Sequence, residues 1–295
     1  MSDHRNIPSF FQTGFDSPIT EVAIMLVSEK DGKYLCLGSG VIIGHFIAMT
    51  ARHVVDGFSQ EHEGKAIERL GGEGTFSLRA IQFLENGSKA LAWDVRHIYL
   101  NNDAGFTDIV FLRLQPTHQV HLDYRWKKVR MRLMPPRIGS IISGFGYHST
   151  ETEVSEGMVA LNTNPVTTTG IVEEIHHERR DYSRLSFPCF RTDARFDRGM
   201  SGGPVFSEDG NLCGIICSNL PPSSSEEDSG HVSYVASLWT IMGILVSYNR
   251  DGYPHEIFYP AIELAQGGFI EAVDLEKVSV YYDGTNMTVR SVRQT

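Results

Sequence analysis

Cysteine is scarce in this chain: Cys36, Cys189, Cys213 and Cys217 are the four among 295 residues. That is too few for a disulfide scaffold at this length, and their spacing lacks the paired C-x2-C pattern of a zinc site. Cys213 and Cys217 lie four apart in LCGIICS, which on a strand puts both on one face, and all four are expected as small core residues. Positive charge is short as well. With 26 Lys and Arg against 36 Asp and Glu, the formal net charge is -10. This disfavours nucleic acid and an anionic membrane surface as partners, and no basic arm offsets it. Long apolar runs are also missing: VAIMLV and GVIIGHFIAMT stop well short of the ~18 residues that suggest a membrane span. The opening MSDHRNIPSFFQTGFDSP is polar and lacks the apolar stretch of ~7–15 residues of a secretory signal, so a cytoplasmic chain is expected.

What the sequence has in quantity is short β-forming runs. EVAIMLVS, YLCLGSGVIIG, FIAMTA, FSLRAIQFL, DIVFLRL, GSIISGFG, GIVEEI, RLSFPCFR, GPVFS, LCGIICS and HVSYVASL are each bounded by glycine, proline, asparagine or aspartate. With few long helical periods between them, they predict an all-β sandwich or a pair of barrels. SLWTIMGILVSY is a candidate helix by its apolar period, although its β-branched content opposes one. PPSSSEEDSG, residues 221–230, reads as a polar surface loop, and no fixed-period repeat is visible.

One segment, FDRGMSGGPV at residues 196–205, surrounds a serine with three glycines. Such a cluster can be an ordinary turn. It can also let backbone N–H groups converge on one point, where they would hold the oxyanion formed when a hydroxyl attacks a carbonyl. Serine is a weak nucleophile, so the second reading requires a histidine to take its proton and a carboxylate to orient that histidine. Upstream stand His53, at the end of the apolar run FIAMTA, and Asp108, which opens DIVFLRL. Either residue alone would be unremarkable, since the chain has 12 histidines and 36 acidic residues. The set, each member at a strand edge, is what points to nucleophilic catalysis.

These segments resemble the trypsin-like serine peptidases, most closely their bacterial HtrA-like branch. TARHVV is similar to the family's histidine motif, FTDIVFLRL to its aspartate motif and RTDARFDRGMSGGPVFSEDGNLCGI to its serine motif; ISGFG and TTTGIVEEI resemble two of its strands. The resemblance spans about residues 20–245, leaving 1–19 and 246–295 as extensions, the latter expected to pack on the peptidase domain. It implies two six-stranded antiparallel β-barrels with His53, Asp108 and Ser201 in the cleft between them. His53 would act as base, Asp108 as its orienting partner and Ser201 as nucleophile, with an oxyanion hole from the N–H groups of Gly199 and Ser201. The implied activity is that of a serine endopeptidase with a protein or peptide substrate and no cofactor or metal, and an activating or regulatory protein partner is a further candidate. Alternatives on the same fold are a silent binding module and an esterase.

Three features depart from the family pattern. Met200 stands before the serine, where secreted members carry an aspartate that pairs with a newly cut N-terminus and HtrA-like members usually carry asparagine. No PDZ domain is expected in the residues after 245. Arg195, with Ser218 and Asn219, is a candidate for lining the substrate side-chain pocket, where its cation would favour acidic residues; the alternative is an ion pair with Asp193 or Asp197.

Overall fold

The computed structural model describes residues 10–30, 33–61, 78–101, 105–117, 126–155, 158–220, 232–248, 257–282 and 287–291. The run VAIMLV is continuously apolar because its strand is buried on both faces. Ile24 and Leu26 point into the main core, while Ala23, Met25 and Val27 join Ile81 and Phe83 against Phe145 and Tyr147. Successive strand side chains point opposite ways, so an unbroken apolar run fits a strand covered twice. That second face is the seam between two barrels.

The first barrel is built from β1 (Ala23–Lys30), β2 (Lys33–Gly44), β3 (Ile47–Ala51), β4 (Leu78–Leu84), β5 (Lys89–Tyr99) and β6 (Ile109–Pro116), closed in the order β1-β2-β3-β6-β5-β4. The second comprises β7 (Ile141–Ser155), β8 (Met158–His176), β9 (Cys189–Thr192), β10 (Pro204–Ser207), β11 (Leu212–Leu220) and β12 (Val232–Ser237). It closes in the order β10-β7-β8-β9-β12-β11, every pair antiparallel. The expected pair of six-stranded antiparallel barrels is thus the observed fold. Closure also leaves neither sheet with a long unpaired edge.

Three local readings need correction. Strand β5 falls in KALAWDVRHIY, where Lys89, Asp94, Arg96 and His97 interrupt the apolar pattern; the strand forms because Trp93, Val95, Ile98 and Tyr99 are buried and Asp94 pairs with Arg79 and Arg96. SLWTIMGILVSY is not one helix. Its buried start is a single 3-10 segment, Leu238–Gly243, after which the chain becomes a strand, Leu245–Tyr248, as its β-branched residues and glycine favour. The cysteines do not all share one fate. A bulge opposite Val205 and Phe206 flips the face of β11, so Cys213 lies in the second barrel's core while Cys217 joins the main core with Leu212 and Ile215. Cys189 is buried, but Cys36 is only half-buried, at the wall of a cavity.

The C-terminal residues contribute several short elements. Leu245–Tyr248 pairs with Ile257–Pro260, a short helix Ala261–Gln266 follows, Glu271–Val273 runs parallel to Arg130–Arg132, and Val278–Tyr282 forms a hairpin with Met287–Ser291. Ile244, Val246, Ile262, Leu264, Val278 and Val289 belong to the main core, so these elements pack on the barrels. A boundary at residue 246 would cut through a strand.

Candidate active site

Strand register brings together two residues far apart in sequence. β3 and β6 pair with Ala51 opposite Ile109, and the next step of that ladder is a bond from the Arg52 N–H to the Asp108 carbonyl, 2.7 Å. His53 is the second residue of helix α1 (Arg52–Glu61), an element the strand pattern did not reveal. The Asp108 carboxylate grips it at two points. Oδ1 accepts the His53 backbone N–H at 3.1 Å and Oδ2 lies 2.8 Å from Nδ1. Asp108 is buried and the His53 ring is 44% exposed. Burial alone would lower the imidazole pKa, but the Asp108 hydrogen bond and charge, with a smaller contribution from Asp56, raise it above its ordinary value of 6.5. A carboxylate at Nδ1 places the proton there and leaves Nε2 as a free base.

Ser201 sits in a loop that needs its glycines for geometry. Gly199 has φ +93°, and a Cβ there would lie 2.4 Å from the Tyr147 carbonyl oxygen. Gly202 has φ +82°, and its Cβ would meet Thr50 Oγ1 at 2.1 Å and the Ser39 carbonyl oxygen at 2.2 Å. The loop is stitched by Met200 N–H to Asp197 O, Gly203 N–H to Met200 O, and Gly202 N–H to Ile216 O. Among the described residues, the N–H groups of Gly199 and Ser201 donate to no protein group, and Ser201 Oγ has no hydrogen-bond partner. His53, Gly199 and Ser201 all line one cavity of about 470 Å³, walled also by Leu35, Leu37, Tyr147 and His148.

The strain at Gly202 carries a stability prediction. Gly202→Ala would place a methyl in hard overlap with two oxygens of the first barrel at a positive φ, so the loss should be at least ~3 kcal/mol, a drop of roughly 5 °C in thermal midpoint for a chain this size. An unchanged midpoint in a melting scan would show that the contact relaxes freely.

Met200 is fully buried in the second barrel's core, close against Gly146, and its Sδ accepts the Asp197 N–H at 3.4 Å. A thioether there offers no partner to an ammonium group. Arg195 is placed away from the cavity. Its guanidinium makes two contacts with the Asp197 carboxylate, at 2.9 and 2.8 Å, and lies 4.8 Å over the Phe10 ring. The nearby anion and aromatic face take the cation that an acid-selective pocket would have used. Ser218 and Asn219 lie on β11 opposite Tyr234 and Ser233; their side chains fall outside the described residues.

Sequence reading missed His148, whose Nδ1–H donates to the Arg198 carbonyl at 3.1 Å, leaving Nε2 to accept from Ser149 Oγ at 2.7 Å. It also missed Ser39, read only as part of a strand although GSG flanks it with glycines just as the nucleophile loop does. Among the described residues no group of His, Cys, Asp or Glu could hold a metal ion, and no helix is long and apolar enough to cross a membrane.

Comparison with curated proteins returned no match. Among solved structures the chain is similar to the MamO protease domain from Magnetospirillum magneticum in its apo form, with 14% identity and a TM-score of 0.44 over 74% of this chain and 93% of that one. The profile of the trypsin-like peptidase domain matches residues 38–215, well over half of the chain and inclusive of His53, Asp108 and Ser201. The chain belongs to the trypsin-like peptidase family.

Proposed function

We propose that the chain is a serine endopeptidase of the HtrA-like branch, working in the cytoplasm as a regulated stress or defence effector. The observation that carries the catalytic reading is the two-point hold of Asp108 on His53 at the wall of the cavity that contains Ser201. In this mechanism Ser201 Oγ attacks the scissile carbonyl carbon while His53 Nε2 takes its proton. The resulting oxyanion accepts from the Gly199 and Ser201 N–H groups, and Nε2 then returns the proton to the departing amine. Water repeats the sequence on the acyl-enzyme, with His53 again as base. No cofactor or metal enters these steps. Met200 removes the ion pair by which secreted members shape this loop, so packing or a protein partner must shape it here.

One observation favours a second reading, a silent scaffold that binds without cutting: Ser201 Oγ makes no hydrogen bond to His53. Apo sites often have loose contacts that tighten on substrate, and a fluorophosphonate probe separates the two readings. Labelling at Ser201, mapped by peptide mass and abolished by heat denaturation, is expected; a folded chain that stays unlabelled would favour the scaffold. Profiling peptide against ester libraries then separates a peptidase from an esterase.

Side-chain preference gives a further prediction. With its cation held by Asp197, Arg195→Ala should leave the ratio of cleavage after Asp or Glu to cleavage after small apolar residues within about threefold, since an exposed ion pair is worth only ~0–1 kcal/mol. A tenfold fall in that ratio would return Arg195 to the substrate pocket.

A further inference from the structure

Ser39 is a fully buried polar residue of the first barrel, and its hydroxyl and its backbone N–H both bond to the second. Its Oγ donates to the Gly199 carbonyl at 2.8 Å and accepts the Tyr147 N–H at 2.9 Å. Its backbone N–H donates to the Ser201 carbonyl at 2.8 Å, and its carbonyl accepts the Thr50 hydroxyl at 2.7 Å. One residue therefore ties both amino acids whose N–H groups are free, and the strand that precedes His53. The flanking glycines permit this approach: a Cβ on Gly38 would lie 2.7 Å from the Ser201 carbonyl oxygen, and one on Gly40 2.7 Å from the Met49 carbonyl oxygen.

We propose that Ser39 is the positioning residue for the oxyanion hole, holding the Gly199 and Ser201 carbonyls from the opposite barrel and so fixing the backbone on the C-terminal side of each residue, which keeps the two N–H groups aimed into the cavity. Gly199 sits at φ +93° with no side chain, so little intrinsic to the residue fixes its peptide planes. Its N-terminal carbonyl neighbour, that of Arg198, is held by His148, and its own carbonyl by Ser39. The chain from Tyr147 N–H through Ser39 Oγ–H to the Gly199 carbonyl is cooperative, since a hydroxyl that accepts becomes a better donor. Met200, apolar where secreted relatives have a charged anchor, cannot do this by ion pairing. Removing the hydroxyl leaves a buried carbonyl and a buried N–H both unpaired, and the cheapest relief is rotation about the Gly199 φ and ψ, which re-aims the backbone on both sides of that residue.

The role rests on the peptidase reading, and the experiment separates the two. Ser39→Ala, counted by active-site titration, should lose about 10- to 100-fold in kcat with KM within threefold. It should also bind a peptidyl boronate more weakly by the same factor while binding a product peptide unchanged, because the hole serves the transition state and not the ground state. The acid limb of its pH profile should not move, since the His53–Asp108 contact is untouched. Hydrogen exchange over residues 196–203 should quicken at least tenfold with β4 and β5 unaffected, a readout that does not need activity. Ser39→Cys, which keeps a weak donor, should lie between Ser and Ala in each measurement and serves if Ser39→Ala does not fold. If wild type is inert, the peptidase reading fails and exchange alone judges Ser39. Wild-type kcat, or unchanged exchange over 196–203 in an inert chain, would overturn the proposal.

Discussion

Ser201→Ala and His53→Ala are each expected to lower kcat by about 10⁶-fold, leaving only what the oxyanion donors and substrate binding supply. The two losses should not add. Without Oγ no acyl bond can form, and without Nε2 the hydroxyl keeps its proton, so either deletion ends the same step. The double variant should therefore match the singles. Both side chains face the cavity and neither belongs to a hydrophobic core cluster, so the fold should hold. Thermal midpoints should stay within a few degrees of wild type. Purified Ser201→Ala retaining a tenth of the wild-type rate on a peptide substrate would remove Ser201 from the nucleophile's role. A double variant far below both singles would mean that His53 and Ser201 act on separate steps.

The barrels were legible because most of their strands are buried on at least one face, and burial writes apolar runs into the sequence. β1 and β3 are the plainest cases, with every described side chain between Ala23 and Ser28 and between Ile47 and Ala51 buried. β5 was not legible, since much of it lies at the surface and its exposed faces carry Lys89, Asp94, Arg96 and His97. The bulge that separates Cys213 from Cys217 was hidden for a different reason. It is a property of how β11 meets β10, and a single strand's period cannot show a register shift against its partner.

At the site, the residues proposed to carry the chemistry were visible and those that hold them were not. Ser201 announced itself through the glycines its loop requires, and His53 and Asp108 through strand ends. The supports are ordinary residues inside strands: Ser39 in YLCLGSGVIIG, Thr50 in FIAMTA and Tyr147 directly after ISGFG. Their importance lies in hydrogen bonds between strands, within the first barrel for Thr50 and Ser39, and across the barrels, more than a hundred positions apart, for Ser39 and Tyr147. Arg195 shows the converse. Its place before the serine suggested a pocket cation, but an aspartate two residues on and the ring of Phe10 claim it.

Asp108→Asn is expected to cost about 10⁴-fold in kcat and to shift the pH profile, and the two effects have one cause. The carboxylate can only accept, so it fixes the His53 proton on Nδ1, 2.8 Å away, and leaves Nε2 facing the cavity as a base. An asparagine amide can present its NH₂ to Nδ1 instead, which favours the tautomer with the proton on Nε2 and removes the base. The pH effect follows from the forces on the ring. Burial lowers the His53 pKa, and the Asp108 hydrogen bond and charge, helped by Asp56, more than reverse it. In wild type, kcat/KM should therefore rise with pH through an apparent pKa above 6.5, because only neutral His53 can accept the Ser201 proton. With the folded pKa raised, the ion pair contributes stability in full below the unfolded value near 6.5 and loses it as pH rises through the folded one, so activity appears as that contribution fades. In Asp108→Asn both contributions of the carboxylate vanish while burial remains. The residual activity should then start at lower pH than in wild type. The measurement is kcat/KM from pH 5 to 9 for both proteins, with circular dichroism at each end to exclude unfolding. An acid limb that stays at the wild-type pH, or a loss under tenfold, would mean that Asp108 does not govern the protonation of His53.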